Sequence, residues 1–150
     1  MNVLRGFSVF AAAAVLGGSI LLAGVTPSEA KSDKVRFRCH AETETVSLNS
    51  RFEDRTNQKK ARKSFRAQFE GSGEDLAAGV QLSVLVDSVS VGTITLVEDV
   101  PGVFEGQLRF DSKGRGRKVQ PFPAGFPAVE AGSLVELQLD GETVVGCELH

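Results

Sequence analysis

From residue 35 onward the chain alternates apolar and polar positions in short runs. Val35, Phe37, Cys39 and Ala41 alternate with Arg36, Arg38, His40 and Glu42. Phe65, Ala67 and Phe69 alternate with Arg66, Gln68 and Glu70, and Val80, Leu82, Val84 and Val86 form a third apolar row. Phe104, Gly106, Leu108 and Phe110 make a fourth, with Glu105, Gln107 and Arg109 between them. Val135, Leu137 and Leu139, then Val145, Cys147 and Leu149, complete the series. Successive side chains of a strand point to opposite faces, so each run predicts a strand with one buried face and one wet face. Val91–Leu96 predicts a further strand, bent at Gly92.

Turn residues fall between these runs. Asp87-Ser88 and Asp140-Gly141 each separate two apolar stretches, as two-residue hairpin turns do. Gly71-Ser72-Gly73, Pro101-Gly102 and Lys113-Gly114-Arg115-Gly116 read as loops. Residues 31–150 carry no capped stripe of helical period, and only Asn57–Ser64 has the composition for a short helical turn. Seven or eight short strands at this spacing predict an all-β fold, a two-sheet antiparallel Ig-like sandwich.

Two segments, Val84–Leu96 and Gly132–Leu149, resemble the hairpins of small secreted bacterial β-sandwich domains of uncharacterised function. The resemblance rests on strand-turn-strand patterning over about half of residues 31–150. It implies the fold and brings no catalytic residues with it. The two hairpins also resemble each other, with Val86-Asp87-Ser88 against Leu139-Asp140-Gly141, one residue out of step beyond the turn.

The first thirty residues are of a different kind. A positive start ending at Arg5 precedes an uncharged run, Gly6–Ser28, that is mostly apolar from Phe7 to Val25. Ser28 at −3 and Ala30 at −1 satisfy the small-residue rule of signal peptidase. Residues 1–30 are therefore expected to be a helical signal peptide, cut between Ala30 and Lys31, and residues 31–150 a single secreted or periplasmic domain. The competing reading is an uncleaved anchor, since the apolar run approaches the roughly twenty residues that span a bilayer. Gly17-Gly18 and Pro27 argue against it, and no second stretch of that length follows, so the mature domain is not expected to span a membrane.

Export bears directly on the cysteines. Cys39 and Cys147 are the only two, lie near opposite ends of residues 31–150 and occupy inward positions of their strands. In an oxidising compartment such a pair predicts a disulfide. His40 and His150 complete an inventory of two cysteines and two histidines, which zinc or copper would accept. However, each histidine lies an odd number of residues from its cysteine, hence on the opposite strand face. No metal and no cofactor are expected.

Charge is uneven along the chain. Cleavage removes one base, Arg5, and one acid, Glu29, so the net charge stays at −2. By segment it runs +6 over residues 31–66, −7 over 67–108, +4 over 109–118 and −5 over 119–150. Pairing of basic strands beside acidic ones is the favoured explanation, because opposite charges across a ladder are stabilising. The alternative is that the bases gather on one surface. Read as loops, 51–66 and 113–118 supply candidate anion-binding residues: Lys59, Lys60, Arg62 and Lys63 in the first, Lys113, Arg115, Arg117 and Lys118 in the second. Arg51, Arg55 and Arg66 belong to the same basic stretch. An anionic glycan, a lipid head group or a protein would be the partner. Nucleic acid is disfavoured, because the chain has no Tyr or Trp to stack on bases.

The stretch Gln120–Pro127 holds three prolines and two phenylalanines. Phe122 and Phe126 are expected to plug the open end of the core rather than to form a docking segment. Catalysis finds no support: no free nucleophile pairs with an oriented histidine, no Gly-x-Ser-x-Gly elbow occurs, and acid pairs such as Glu74-Asp75 and Glu98-Asp99 sit beside turn residues. Carboxylate spacing, which a glycosidase would need, is a three-dimensional quantity. The expectation is a non-catalytic domain with a binding or structural role, the alternative being anionic-partner binding through the two basic loops.

Overall fold

The computed structural model describes residues 33–56, 61–114 and 116–150. The expected signal peptide and its cleavage point lie outside them, as do Lys59, Lys60 and Arg115. Nine strands form: β1 (Asp33–Glu42), β2 (Val46–Thr56), β3 (Arg62–Gly71), β4 (Gln81–Val86), β5 (Val89–Thr95), β6 (Val97–Val100), β7 (Val103–Asp111), β8 (Leu134–Leu139) and β9 (Glu142–Glu148). They make two antiparallel sheets, one in the order β1-β2-β3-β7-β6 and the other β5-β4-β8-β9. No helix appears among the described residues.

The apolar rows face inward as their period requires. Phe65, Ala67, Phe69, Leu82, Val84, Val86, Leu108, Phe110, Val135, Leu137 and Leu149 are buried between the sheets. The two-residue turns form at both expected places: Val86 pairs with Val89, and Leu139 with Glu142. Both turn residues adopt positive φ in each case, 48° and 65° at Asp87 and Ser88, 51° and 89° at Asp140 and Gly141. That conformation matches the twist of the strands a tight hairpin joins. Each hairpin then bulges at its third residue past the turn, Val91 in one and Val144 in the other. The bend anticipated at Gly92 is thus a β-bulge, and the two hairpins pack side by side through β4 and β8.

Two of the nine strands, β2 and β6, lie outside the runs that alternation predicts, for identifiable reasons. In β2 the inward series Val46, Leu48, Ser50, Phe52 is interrupted by a serine, and outward-facing Glu53 is buried. Ser50 survives burial because its hydroxyl donates to the Arg66 carbonyl at 3.1 Å. All four residues of β6 are exposed, so no apolar alternation marks it. Residues 51–56 and 62–66 are consequently strand rather than basic loop, and of the expected helical turn Arg62–Ser64 belong to β3 while 57–60 lie outside the described residues.

Both lateral edges of the sandwich are tied together. On one side β5 runs through buried Leu96 directly into β6 of the opposite sheet. Gly106 of β7 lies against that crossing, where a Cβ would stand 2.3 Å from the Ile94 side chain, so only glycine fits. On the other side Arg38 of β1 and His150 exchange backbone hydrogen bonds of 2.9 and 3.0 Å. The Cys39–Cys147 disulfide joins the same two edges, with α-carbons 5.7 Å apart. Both cysteines fall at inward positions of the first and last strands, which makes the bridge reachable. The open end near the start of β3 is filled by an aromatic cluster: Phe126 lies 5.4 Å from Phe65 and 4.8 Å from Phe122, which in turn stands 5.6 Å from Phe110.

Candidate functional site

The outer face of the five-stranded sheet carries the densest chemistry. Arg38 of β1 stands opposite Arg51 of β2, Arg51 opposite Arg66 of β3, and Arg66 opposite Arg109 of β7. Four arginines thus form one row across four adjacent strands, and all four are exposed. Neighbouring strands lie about 4.8 Å apart, so the row extends roughly 14 Å.

Core packing forces this arrangement. Each arginine sits between two inward residues of its strand: Phe37 and Cys39, Ser50 and Phe52, Phe65 and Ala67, Leu108 and Phe110. Burying those neighbours turns every arginine outward, and a slip of one residue would drive the guanidinium groups into the core. Like charges directly opposite on a ladder are destabilising, by a few tenths to about 1 kcal/mol per pair. The row contains three such pairs, so the fold bears a cost that hydrophobic alternation alone does not require.

Other rows frame it. Toward the start of β3 runs Arg36–Glu53–Ser64–Asp111, and beyond it Lys34–Arg55–Arg62. Glu53 is ringed by cations: it accepts from Arg36 and Arg51, and Lys34 and Arg55 approach to 3.5 and 3.7 Å. Burial pushes its carboxyl up, but hydrogen bonds from Arg51 and Arg36 and the charges of both outweigh this and hold it at about 2. Asp111 accepts from Arg62, which lowers its carboxyl below the usual range against the opposing effect of burial and raises the Arg62 guanidinium. Both acids are therefore ionised and already neutralised by arginine. Among the described residues, no carboxylate lies within ion-pair distance of Arg38, Arg66 or Arg109.

On the other flank runs a row of neutral polar groups, His40–Asn49–Gln68–Gln107, and past it the row Glu42–Ser47–Glu70–Glu105. His40 holds Asn49 Oδ1 through Nδ1 at 2.9 Å and meets Glu42 through Nε2 at 3.3 Å. The face is basic at one end, amide-rich in the middle and acidic at the other. Shallow depressions lie to both sides of Arg51 and Arg66, one lined by Arg38, His40, Asn49 and Gln68, the other by Glu53, Ser64, Arg109 and Asp111.

The expected charge pairing is only partly realised. Lys63 meets Asp54 at 3.1 Å and Arg36 meets Glu53, but along the row Arg38–Arg51–Arg66–Arg109 base stands opposite base. The four-stranded sheet contains no lysine or arginine at all. The bases of the strands thus share one sheet with as many acids, and the favoured pairing of base beside acid holds at Arg36–Glu53 and Lys63–Asp54 but fails along the arginine row.

The eight expected anion-binding residues fare unevenly. Arg62 is taken up by Asp111 and Lys63 by Asp54. Lys113, Arg117 and Lys118 are exposed on the turn that follows β7. That turn is bonded to the start of β3: the Ser112 amide donates to the Lys63 carbonyl at 2.9 Å, and the Lys63 amide to Ser112 Oγ at 2.9 Å. The two basic stretches therefore do meet at one end of the sheet. Sequence reasoning missed the row itself; the available signal was an arginine between two inward residues in each of three predicted strands, at Arg38, Arg66 and Arg109.

Among the described residues, no three potential ligands cluster in a way that could hold a metal ion, and no helix is long and apolar enough to cross a membrane. Compared with protein-family models, curated proteins and solved structures, the chain matches none of them.

Proposed function

We propose that this is an exported, non-catalytic β-sandwich domain, Ig-like in the broad sense, that holds an anionic partner against the outer face of its five-stranded sheet. The observation that carries the reading is the register Arg38–Arg51–Arg66–Arg109, in which three of four arginines lack an internal carboxylate partner among the described residues. A row of like charges that weakens the ladder is maintained at a cost in stability, and binding accounts for it.

Other features support the same reading. The disulfide fits an oxidising compartment, in keeping with a signal peptide removed at Ala30–Lys31. Glu53 and Asp111 stand two strands apart with Ser64 between, roughly 10 Å by strand spacing. A two-carboxylate hydrolase needs one carboxyl whose pKa is raised, and both here are lowered. A structural role through edge pairing is weakened by the Arg38–His150 bonds and the disulfide, which occupy part of one edge. The prolines of 120–127 serve the aromatic plug, which weakens a docking role for that loop.

The test is direct binding at low ionic strength to a set of polyanions: a sulfated polysaccharide, inorganic polyphosphate and anionic vesicles. Binding should fall steeply with added salt and be lost in the Arg66→Gln/Arg109→Gln variant. Absence of binding to every member of the set would overturn the proposal.

A further inference from the structure

Resting on that reading, we infer that the partner is a linear acidic polysaccharide lying across β1, β2, β3 and β7, its acid groups on the arginine row and its hydroxyls on the amide row. The two rows adjoin: Arg38, Arg51, Arg66 and Arg109 in one, His40, Asn49, Gln68 and Gln107 two residues further along the strands. A side-chain amide offers both donors and an acceptor, as a sugar hydroxyl does, whereas a guanidinium offers donors only and matches a carboxylate or sulfate. A ligand that presents anionic groups along one edge and hydroxyls along the other answers both rows together.

The surrounding charge fixes the direction of the chain. The row Glu42–Ser47–Glu70–Glu105 lies four residues from the arginines, about 13 Å along the strands. A polyanion running parallel to the strands would reach those glutamates and be repelled. One running across the strands stays on the arginines for their whole 14 Å extent, the length of a short oligosaccharide. Beyond the row Arg36 is held by Glu53 and Arg62 by Asp111, whereas Arg38, Arg66 and Arg109 within it have no carboxylate partner among the described residues.

Other polyanions fit less well. Between the Arg36 row and the His40 row the four strands turn no Phe, Tyr, Trp or aliphatic side chain outward, and only the half-buried Val119 borders the row, at its Arg109 end. Single-stranded nucleic acid is bound largely by stacking on aromatic rings, and lipid surfaces by apolar groups beside the cations. Neither has a foothold here.

The experiment compares heparin-derived oligosaccharides, polygalacturonate, inorganic polyphosphate, single-stranded DNA and anionic vesicles on the exported protein and two variants. Polyphosphate has the charge without hydroxyls, so it isolates the contribution of the amide row. Arg66→Gln/Arg109→Gln should weaken every polyanion at least tenfold. Gln68→Ala/Gln107→Ala should weaken the oligosaccharides several-fold and leave polyphosphate unchanged, with thermal melts confirming that each variant is folded. Equal effects of the amide variant on both ligands, or none on either, would overturn the polysaccharide while leaving anionic binding intact. Tighter binding of DNA or vesicles than of any acidic polysaccharide would overturn it as well, as would salt-sensitive self-association through this face. If no polyanion binds at all, the underlying reading fails with it.

Discussion

Arg66 of β3 stands directly opposite Arg109 of β7, and neither has a carboxylate within ion-pair distance among the described residues. Arg66 also faces Arg51 on its other side, and unlike Arg51, which likewise stands between two arginines but is held by Glu53, it has no acid to offset them. Replacing it with the neutral Arg66→Gln removes two opposing like-charge pairs while keeping an exposed, strand-compatible side chain. The variant should be more stable than the parent by about 0.5–1 kcal/mol in chemical denaturation, and more so at low salt. It should at the same time bind polyanions less well. A loss of stability would mean that Arg66 serves the fold instead.

Acid should act through Glu53 and Asp111. The Glu53 carboxyl is held at about 2 against its ordinary 4.5, and Asp111 is lowered as well. A carboxyl depressed in the folded state contributes stability above its unfolded value, and that contribution is lost as pH falls toward the folded one. Unfolding midpoints should therefore drop between pH 4.5 and pH 2. Glu53→Gln should cost about 1–3 kcal/mol at pH 7, because it deprives Arg36 and Arg51 of a charged acceptor. The gap between variant and parent should narrow on acidification. Parallel pH profiles would rule out Glu53 as the titrating group.

The disulfide closes a span of 108 residues and joins the two sheets where β1 meets the last strand. In the chain-entropy view a loop that long contributes about 4–5 kcal/mol, and measured values are often nearer 2. Cys39→Ala/Cys147→Ala should lower stability by about 2–5 kcal/mol while the far-ultraviolet spectrum stays that of a β protein. Non-reducing peptide mapping of the parent should recover one cross-linked pair and no free thiol.

The sequence made some of this legible and hid the rest, for physical reasons. Asp87-Ser88 and Asp140-Gly141 could be read because turn chemistry is local, and Cys39 with Cys147 because two inward cysteines leave one pairing. Phe122 and Phe126 were readable as a plug from their prolines and aromatic rings. Strand β2 was hidden by Ser50 and Glu53, polar residues at buried positions that the fold satisfies with the Arg66 carbonyl and with arginines. Strand β6 was hidden because it buries nothing. The arginine row was hidden by something more general. Alternation tells that Arg38, Arg66 and Arg109 point outward, but not which strands are neighbours or in what register. The charge blocks suggested bases against acids, whereas the topology sets β3 between β2 and β7 and so stacks base on base.

The most direct measurement is a titration of the labelled protein with an acidic oligosaccharide, followed through the arginine Nε–Hε signals in nuclear magnetic resonance spectra. Arg38, Arg51, Arg66 and Arg109 should shift together with one dissociation constant, and all four shifts should be abolished by high salt. Arg62, held by Asp111, should move little. Shifts confined to Arg117 and the turn after β7, or no arginine shift at saturating ligand, would contradict the assignment of the sheet face as the binding surface.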